Sequence, residues 1–190
     1  DVLQSNAKCA IDYKYYKPTV LPRTNNSSND SSNDSSNDSL NKELLPSFID
    51  VQGFRHPIVE RIQDDIEYIK NDLKLGRETP TDTNITGMLL FAVNNAGKST
   101  LEKAIALNVI LAQSGCYVPA ESFRYRPFKN IITRLEGTDN MWKGQGSFAV
   151  EMSELRTVTN QADANTLVLG DEICHGTEQN SAISVSYTHL

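Results

Sequence analysis

The spacing of apolar residues divides the chain into stretches of different character. Val2, Leu3, Ala7 and Ala10 recur at helical spacing, then Tyr13, Tyr15 and Tyr16 lead to Pro18 and Pro22, which end helical structure. Apolar positions vanish between residues 25 and 39 and return for good at Phe48. Ile58, Val59, Ile62 and Ile66 alternate with charges in a helix or a strand. After a polar stretch from Gly76 to Asn84, Thr86-Gly87-Met88-Leu89-Leu90-Phe91-Ala92-Val93 is a short continuous apolar run, the signature of a strand buried on both faces. Leu101, Ala104, Ile105, Asn108, Val109 and Ala112 then follow helical spacing, with Gly115 placed to cap the end. Ile131-Ile132-Thr133 predicts a strand. Phe148, Met152, Leu155, Thr159 and Ala162 predict a helix with Ser147 at its N-cap. Thr166-Leu167-Val168-Leu169-Gly170 predicts a second buried strand, and a last helix is expected from near Asn180. Alternating strands and helices of this kind make an α/β domain around a largely parallel sheet.

Composition explains the gap. Every residue from Asn25 to Ser39 is Ser, Asn or Asp, and Ser-Ser-Asn-Asp repeats at 27–30, 31–34 and 35–38. Such a tract buries too little apolar surface to offset its ordering entropy, so a disordered insert is expected. The expected organisation is therefore the tail of a preceding domain at 1–22, an insert at 23–46 and a globular domain at 47–190. The 24 acidic and 18 basic residues give a net charge of −6, which excludes a purely electrostatic nucleic-acid binder. No apolar run approaches the ~20 residues of a membrane span. Cys9, Cys116 and Cys174 are odd in number and far apart, as reduced intracellular thiols are. They share no metal-ligand spacing with His56, His175 and His189.

The candidate chemistry lies at Ala92-Val93-Asn94-Asn95-Ala96-Gly97-Lys98-Ser99-Thr100, between an apolar run and a helix. A tight loop of small residues turns backbone N–H groups toward phosphate oxygens, and the helix N-terminus adds its positive end. Lys98 would reach the β- and γ-phosphates, and Ser99 would offer a hydroxyl to Mg²⁺. Ala92 stands where the usual phosphate-loop pattern has its first Gly. If that position requires positive φ, the alanine costs on the order of 1 kcal/mol. Farther along, Leu167-Val168-Leu169-Gly170-Asp171-Glu172 is an apolar strand ending in two carboxylates. Asp171 would hold Mg²⁺, and Glu172 would polarise the attacking water. An adjacent Asp-Glu pair is expected of ATPases that place a catalytic glutamate beside the Mg²⁺ aspartate.

With these residues in place, the chain resembles the C-terminal ATPase domain of the MutS family of DNA mismatch-repair proteins, which are ABC-type P-loop ATPases. Arg55-His56-Pro57-Ile58-Val59-Glu60 is similar to the family's entry motif. Leu107 to Gln113 and Tyr117 to Ala120 resemble the helix after the loop and the strand beyond it. Thr133-Arg134 with Asp139-Asn140, Gly146 to Met152, and Asp171 to Glu178 resemble further family motifs in the same order. Cys174 and Gly176-Thr177-Glu178 lean toward the branch of large DNA viruses and some mitochondria. The resemblance implies ATP and Mg²⁺ as cofactors and hydrolysis by a dimer that is a homo- or heterodimer. It implies that Tyr68 places a ring against adenine, with Ile69 helping to hold the base. Ser147 would face the γ-phosphate of the other subunit, and His175-Gly176-Thr177 would cross that interface. Residues 1–22 would be the last turns of a helical lever. Mismatched DNA would be bound by domains lying elsewhere in the parent protein, within a cell or a viral factory and at no membrane.

Several residues depart from the family pattern. Ala92 replaces Gly, Ala106 stands where Gly is common, and His175 replaces Arg, whose charge does not depend on pH near neutrality. Ser186 to Leu190 does not continue the pattern, and the chain reads as a piece of a longer one. Ala92 and His175 keep open a second reading, a nucleotide-binding dimerisation module without efficient hydrolysis. A third reading is an ABC-type ATPase of recombination or chromosome maintenance, against which the Arg-His-Pro and Ser-x-Phe-x-x-Glu-Met motifs argue.

Overall fold

The computed structural model describes residues 1–23, 44–62, 68–93, 96–134 and 147–171, excluding the side chains of 147–151. Most of the expected insert, Ile66, the helix expected near Asn180, and the motif residues at 139–146 and 172–178 lie outside the described residues. The chain divides into two compact units, residues 1–89 with 108–127, and residues 90–107 with 128–190.

The first unit is built on a four-stranded sheet. Its elements are α1 (Val2–Asp12), β1 (Thr19–Val20), β2 (Phe48–Phe54), α2 (Val59–Ile62), β3 (Asn71–Leu75) and β4 (Ser122–Arg126). The strand order is β1-β4-β2-β3. β2 is central, and Phe48, Ile49, Val51 and Phe54 are all buried. It runs antiparallel to both neighbours, with Val51 opposite Leu73 on β3 and Phe123 on β4. Only β1 and β4 pair in parallel here. The expected largely parallel sheet is therefore a mixed one in this unit. Antiparallel pairing sets its hydrogen bonds perpendicular to the strands and is slightly more stable per residue than parallel pairing, and β2 takes it on both edges.

Helix α3 (Lys98–Gln113) contributes its C-terminal part to this unit, where Val109 and Ala112 are buried with Phe123 and Tyr125. The Tyr125 hydroxyl donates to the Ala112 carbonyl at 2.9 Å. The helix ends as its sequence predicts. Gly115 takes φ +77, its N–H reaches the Ala112 carbonyl, and the Cys116 N–H reaches the Leu111 carbonyl. This double bond pattern satisfies end carbonyls and favours glycine at the left-handed position.

The Arg-His-Pro motif organises the same unit. Arg55 pairs with Glu60 and donates to the Tyr13 carbonyl, while Asn108 Nδ2 donates to the Arg55 carbonyl at 3.0 Å. His56 Nδ1 accepts from the Ile58 and Val59 N–H groups at 3.2 Å, capping α2. This arrangement requires an unprotonated Nδ1.

The second unit holds the N-terminal part of α3, β5 (Asn130–Arg134), α4 (Ser147–Gln161) and β6 (Thr166–Gly170). β5 and β6 pair in parallel, with Asn130 opposite Thr166 and Arg134 opposite Gly170. Leu167 and Leu169 are buried and Val168 between them is half-exposed, so β6 covers a core on one face. Both strands and both helices of this unit fall where the apolar spacing predicts them.

The run at 86–93 does not form the expected strand. No strand includes it among the described residues, and Leu89 and Phe91 are 88% and 99% exposed. Apolar side chains alone do not complete a strand; its N–H and C=O groups also need neighbours on the ladder. The described ladder of this unit contains only β5 and β6.

Candidate functional site

The second unit brings together the end of the apolar run, the start of α3 and the end of β6. Gly97 has φ +92, and a Cβ there would meet nothing within 4 Å, so its requirement for glycine is conformational rather than steric. The Leu101 N–H bonds to the Gly97 carbonyl at 2.9 Å, which makes Gly97 the residue that opens the helix. The N–H groups of the first turn, at Lys98, Ser99 and Thr100, consequently have no acceptor within the helix and face its N-terminal end. That end carries the positive pole of the helix dipole, so it attracts an anion. The Ala96 N–H bonds to the Val93 carbonyl at 3.2 Å and tightens the loop just before it. Asn94 and Asn95, two of the expected loop residues, lie outside the described residues.

Ala92 raises no strain. Among the described residues, Lys14 is the only non-glycine with positive φ, so the alanine sits in ordinary backbone geometry. Its carbonyl accepts from Lys98 Nζ at 3.0 Å, and the Val93 carbonyl accepts from the same ammonium at 3.2 Å. Lys98 is thereby folded back over the loop.

The Ser99 hydroxyl donates to Asp171 Oδ2, joining residues 72 positions apart in the chain. Asp171 is set by β6 and fixed at its backbone, where its N–H donates to the Arg134 carbonyl at 2.8 Å. Arg134 Nε in turn pairs with Glu154 Oε2 on α4 at 2.8 Å. The two residues expected to hold Mg²⁺ are thus in direct contact. Among the described residues, no three His, Cys, Asp or Glu side chains gather as a metal cluster. A serine hydroxyl with one carboxylate suits a hard cation that takes its other oxygens from phosphate and water.

Glu102 belongs to the same neighbourhood and was not singled out by the sequence. It follows Ser99 by three positions, on the same face of α3. It is 9% exposed, and its Oε2 is buried without a hydrogen-bond partner among the described residues. Burial, with the Asp171 carboxylate as a second cause, pushes its carboxyl up from 4.5 to about 7. The signal available in the sequence was a carboxylate on the buried side of an otherwise apolar helix.

The remaining expected site residues are not gathered here. Glu172 lies outside the described residues, as does His175. Ser147, expected as the N-cap, is the first residue of α4, and its side chain is not among those described. Tyr68 and Ile69 belong to the first unit. Tyr68 is half-buried, and burial followed by the Glu60 carboxylate pushes its hydroxyl up. Ile69 is exposed.

Comparison with known proteins adds a family. A family model described as MutS domain V matches residues 88–190. Over 97% of its length the chain is 41% identical to a mitochondrial DNA mismatch repair protein, a mutS homolog, of Sarcophyton glaucum, covering 16% of that protein. Over 99% of its length it is 35% identical to the DNA mismatch repair protein MutS of Alkaliphilus oremlandii, covering 18% of it. It is also 37% identical to the human DNA mismatch repair protein Msh6, over 70% of this chain and 10% of that protein. The chain spans about a sixth of the length of the first two of these relatives.

Proposed function

The chain belongs to the MutS family of DNA mismatch-repair proteins and carries its domain V, the C-terminal ATPase domain, and from this premise we propose that it binds ATP with Mg²⁺ at residues 92–100 and Asp171 and hydrolyses it. The observation that carries this reading is the Ser99–Asp171 hydrogen bond at the N-terminus of α3. It sets a hydroxyl and a carboxylate at the helix N-terminus, whose first-turn N–H groups have no acceptor within the helix, as a nucleotide and its cation require.

In this reading the N–H groups of Gly97, Lys98, Ser99 and Thr100, with those of Asn94, Asn95 and of Ala96 once it leaves the Val93 carbonyl, cradle the phosphates. Lys98 exchanges its two carbonyl partners for β- and γ-phosphate oxygens. Ser99 and Asp171 hold the cation, which supplies neutralisation of phosphate charge when bound. Glu172, the next residue along the chain, orients the attacking water and accepts its proton. Tyr68 and Ile69 hold the adenine, and Ser147, at the start of a 15-residue helix, meets the γ-phosphate of a second subunit. The fold class this implies is a P-loop NTPase of ABC type. Within the parent protein the domain would couple ATP to recognition of mismatched DNA by other domains, as a homo- or heterodimer, with residues 1–22 as the end of the connecting lever.

Single-turnover hydrolysis tests the catalytic part. Glu172→Gln is expected to keep Mg²⁺-dependent ATP binding while slowing hydrolysis by about 100-fold or more. Hydrolysis at an unchanged rate would remove Glu172 from the mechanism. Binding without hydrolysis by the unaltered chain in its dimeric parent would favour the non-hydrolysing dimerisation module instead.

A further inference from the structure

The proposed cation site contains a carboxylate that the loop and the Asp-Glu pair leave without a role. Ser99 and Asp171 are already joined, and Glu102, one turn beyond Ser99 on the same face of α3, buries an Oε2 that has no hydrogen-bond partner among the described residues. A glutamate left without a hydrogen bond in such a place is costly to the fold, because the charged form loses its water and faces a like charge. Lys98, the cation of the loop, is engaged with the Ala92 and Val93 carbonyls instead. A core position on α3 would be filled more favourably by a leucine or methionine, and Ala104, Ile105 and Ala106 next to it are of that kind.

We propose that Glu102 is a third protein oxygen donor of the divalent-cation site, acting with Ser99 and Asp171 either directly or through one bound water. The inference rests on the nucleotide-and-Mg²⁺ reading of this site and deepens it. Two carboxylates and a hydroxyl give a binding site for a hard cation more negative charge than the loop pattern by itself provides. The cation in turn removes the repulsion between Glu102 and Asp171. The same residue therefore weakens the empty fold and strengthens cation binding.

That opposition supplies the test. Mn²⁺ serves as the probe, its uptake followed by loss of the free-ion electron paramagnetic resonance signal, with and without a non-hydrolysable ATP analogue. The 190-residue chain is compared with Glu102→Gln and Glu102→Asp, the latter withdrawing the carboxylate by one methylene while keeping its charge. Glu102→Gln is expected to weaken Mn²⁺ binding about tenfold, to leave cation-free nucleotide binding unchanged, and to raise the melting temperature in EDTA by a few degrees. Glu102→Asp is expected to weaken Mn²⁺ binding without raising that temperature, and it carries the test should Glu102→Gln fail to fold. Mn²⁺ affinity within twofold of the original chain in the folded variants would overturn the role of Glu102 alone. A fall in melting temperature with Glu102→Gln, matched by no change in Mn²⁺ affinity, would make it a structural residue. Absence of Mn²⁺ uptake by the original chain with the analogue present would overturn this proposal together with the reading beneath it.

Discussion

The Arg126 guanidinium is almost wholly out of water and is spread across four backbone carbonyls. Nε donates to Pro22, Nη1 to Pro46 and Arg77, and Nη2 to Glu78, with the Phe48 ring 5.6 Å away. The planar fork matches these acceptors in a way a lysine ammonium cannot. Arg126→Lys is therefore expected to lower stability by about 3 kcal/mol, measured by urea unfolding, because buried carbonyls lose their donors. Glu102 is the opposite case, a buried carboxyl whose Oε2 has no hydrogen-bond partner among the described residues. Its carboxyl is raised above its ordinary value, so the folded chain binds the proton more tightly than the unfolded one. This contribution to stability is fully present below about pH 4.5 and is lost as the pH rises toward about 7. Glu102→Gln should accordingly gain stability on the order of 2 kcal/mol at about pH 8 in EDTA and much less at about pH 5. Equal gains at both values would show that Glu102 keeps an ordinary carboxyl.

At the scale of elements, the legible parts of the sequence were those whose stability is local or one-sided. α3 announces itself by apolar spacing and by Gly115, and the Ile131–Thr133 and Thr166–Gly170 runs coincide with β5 and β6. The run at 86–93 misled because apolarity marks only what a segment avoids, whereas a strand is completed by partners far away in sequence. β2, β3 and β4 were hidden for the same reason: Asp50, Gln52 and Asp72 break the pattern locally, and pairing across the sheet overrides them. The candidate site followed suit. Lys98, Ser99 and Asp171 were readable from spacing, while Glu102 looked like an ordinary helix residue until β6 was placed beside it. The insert offers a test of local independence. Its ends meet where the Leu45 N–H bonds to the Arg23 carbonyl at 2.8 Å, and Arg126 ties both flanks, at Pro22 and Pro46. Shortening a closed loop changes its closure entropy only slowly. A variant lacking residues 26–41 is therefore expected to unfold within about 1 kcal/mol of the original, and a larger loss would assign the insert a structural role.

For the whole molecule, the two units each close around their own core, and the segment leading into the loop is left in contact with water. Leu89, Phe91 and Val93 are exposed together, and apolar surface of that kind drives association. Light scattering of the chain should show mass rising with concentration, and Phe91→Ser should reduce it; concentration-independent mass would contradict this. None of the described helices is long and apolar enough to cross a membrane. The central claim, that residues 92–100 with Asp171 form a nucleotide site, is tested most directly by calorimetric titration of ATP into the chain, with and without Mg²⁺, beside Lys98→Ala. Saturable binding is expected, strengthened by Mg²⁺ and weakened at least tenfold by Lys98→Ala. A folded chain that binds no ATP, or binds it equally well without Lys98, would contradict it.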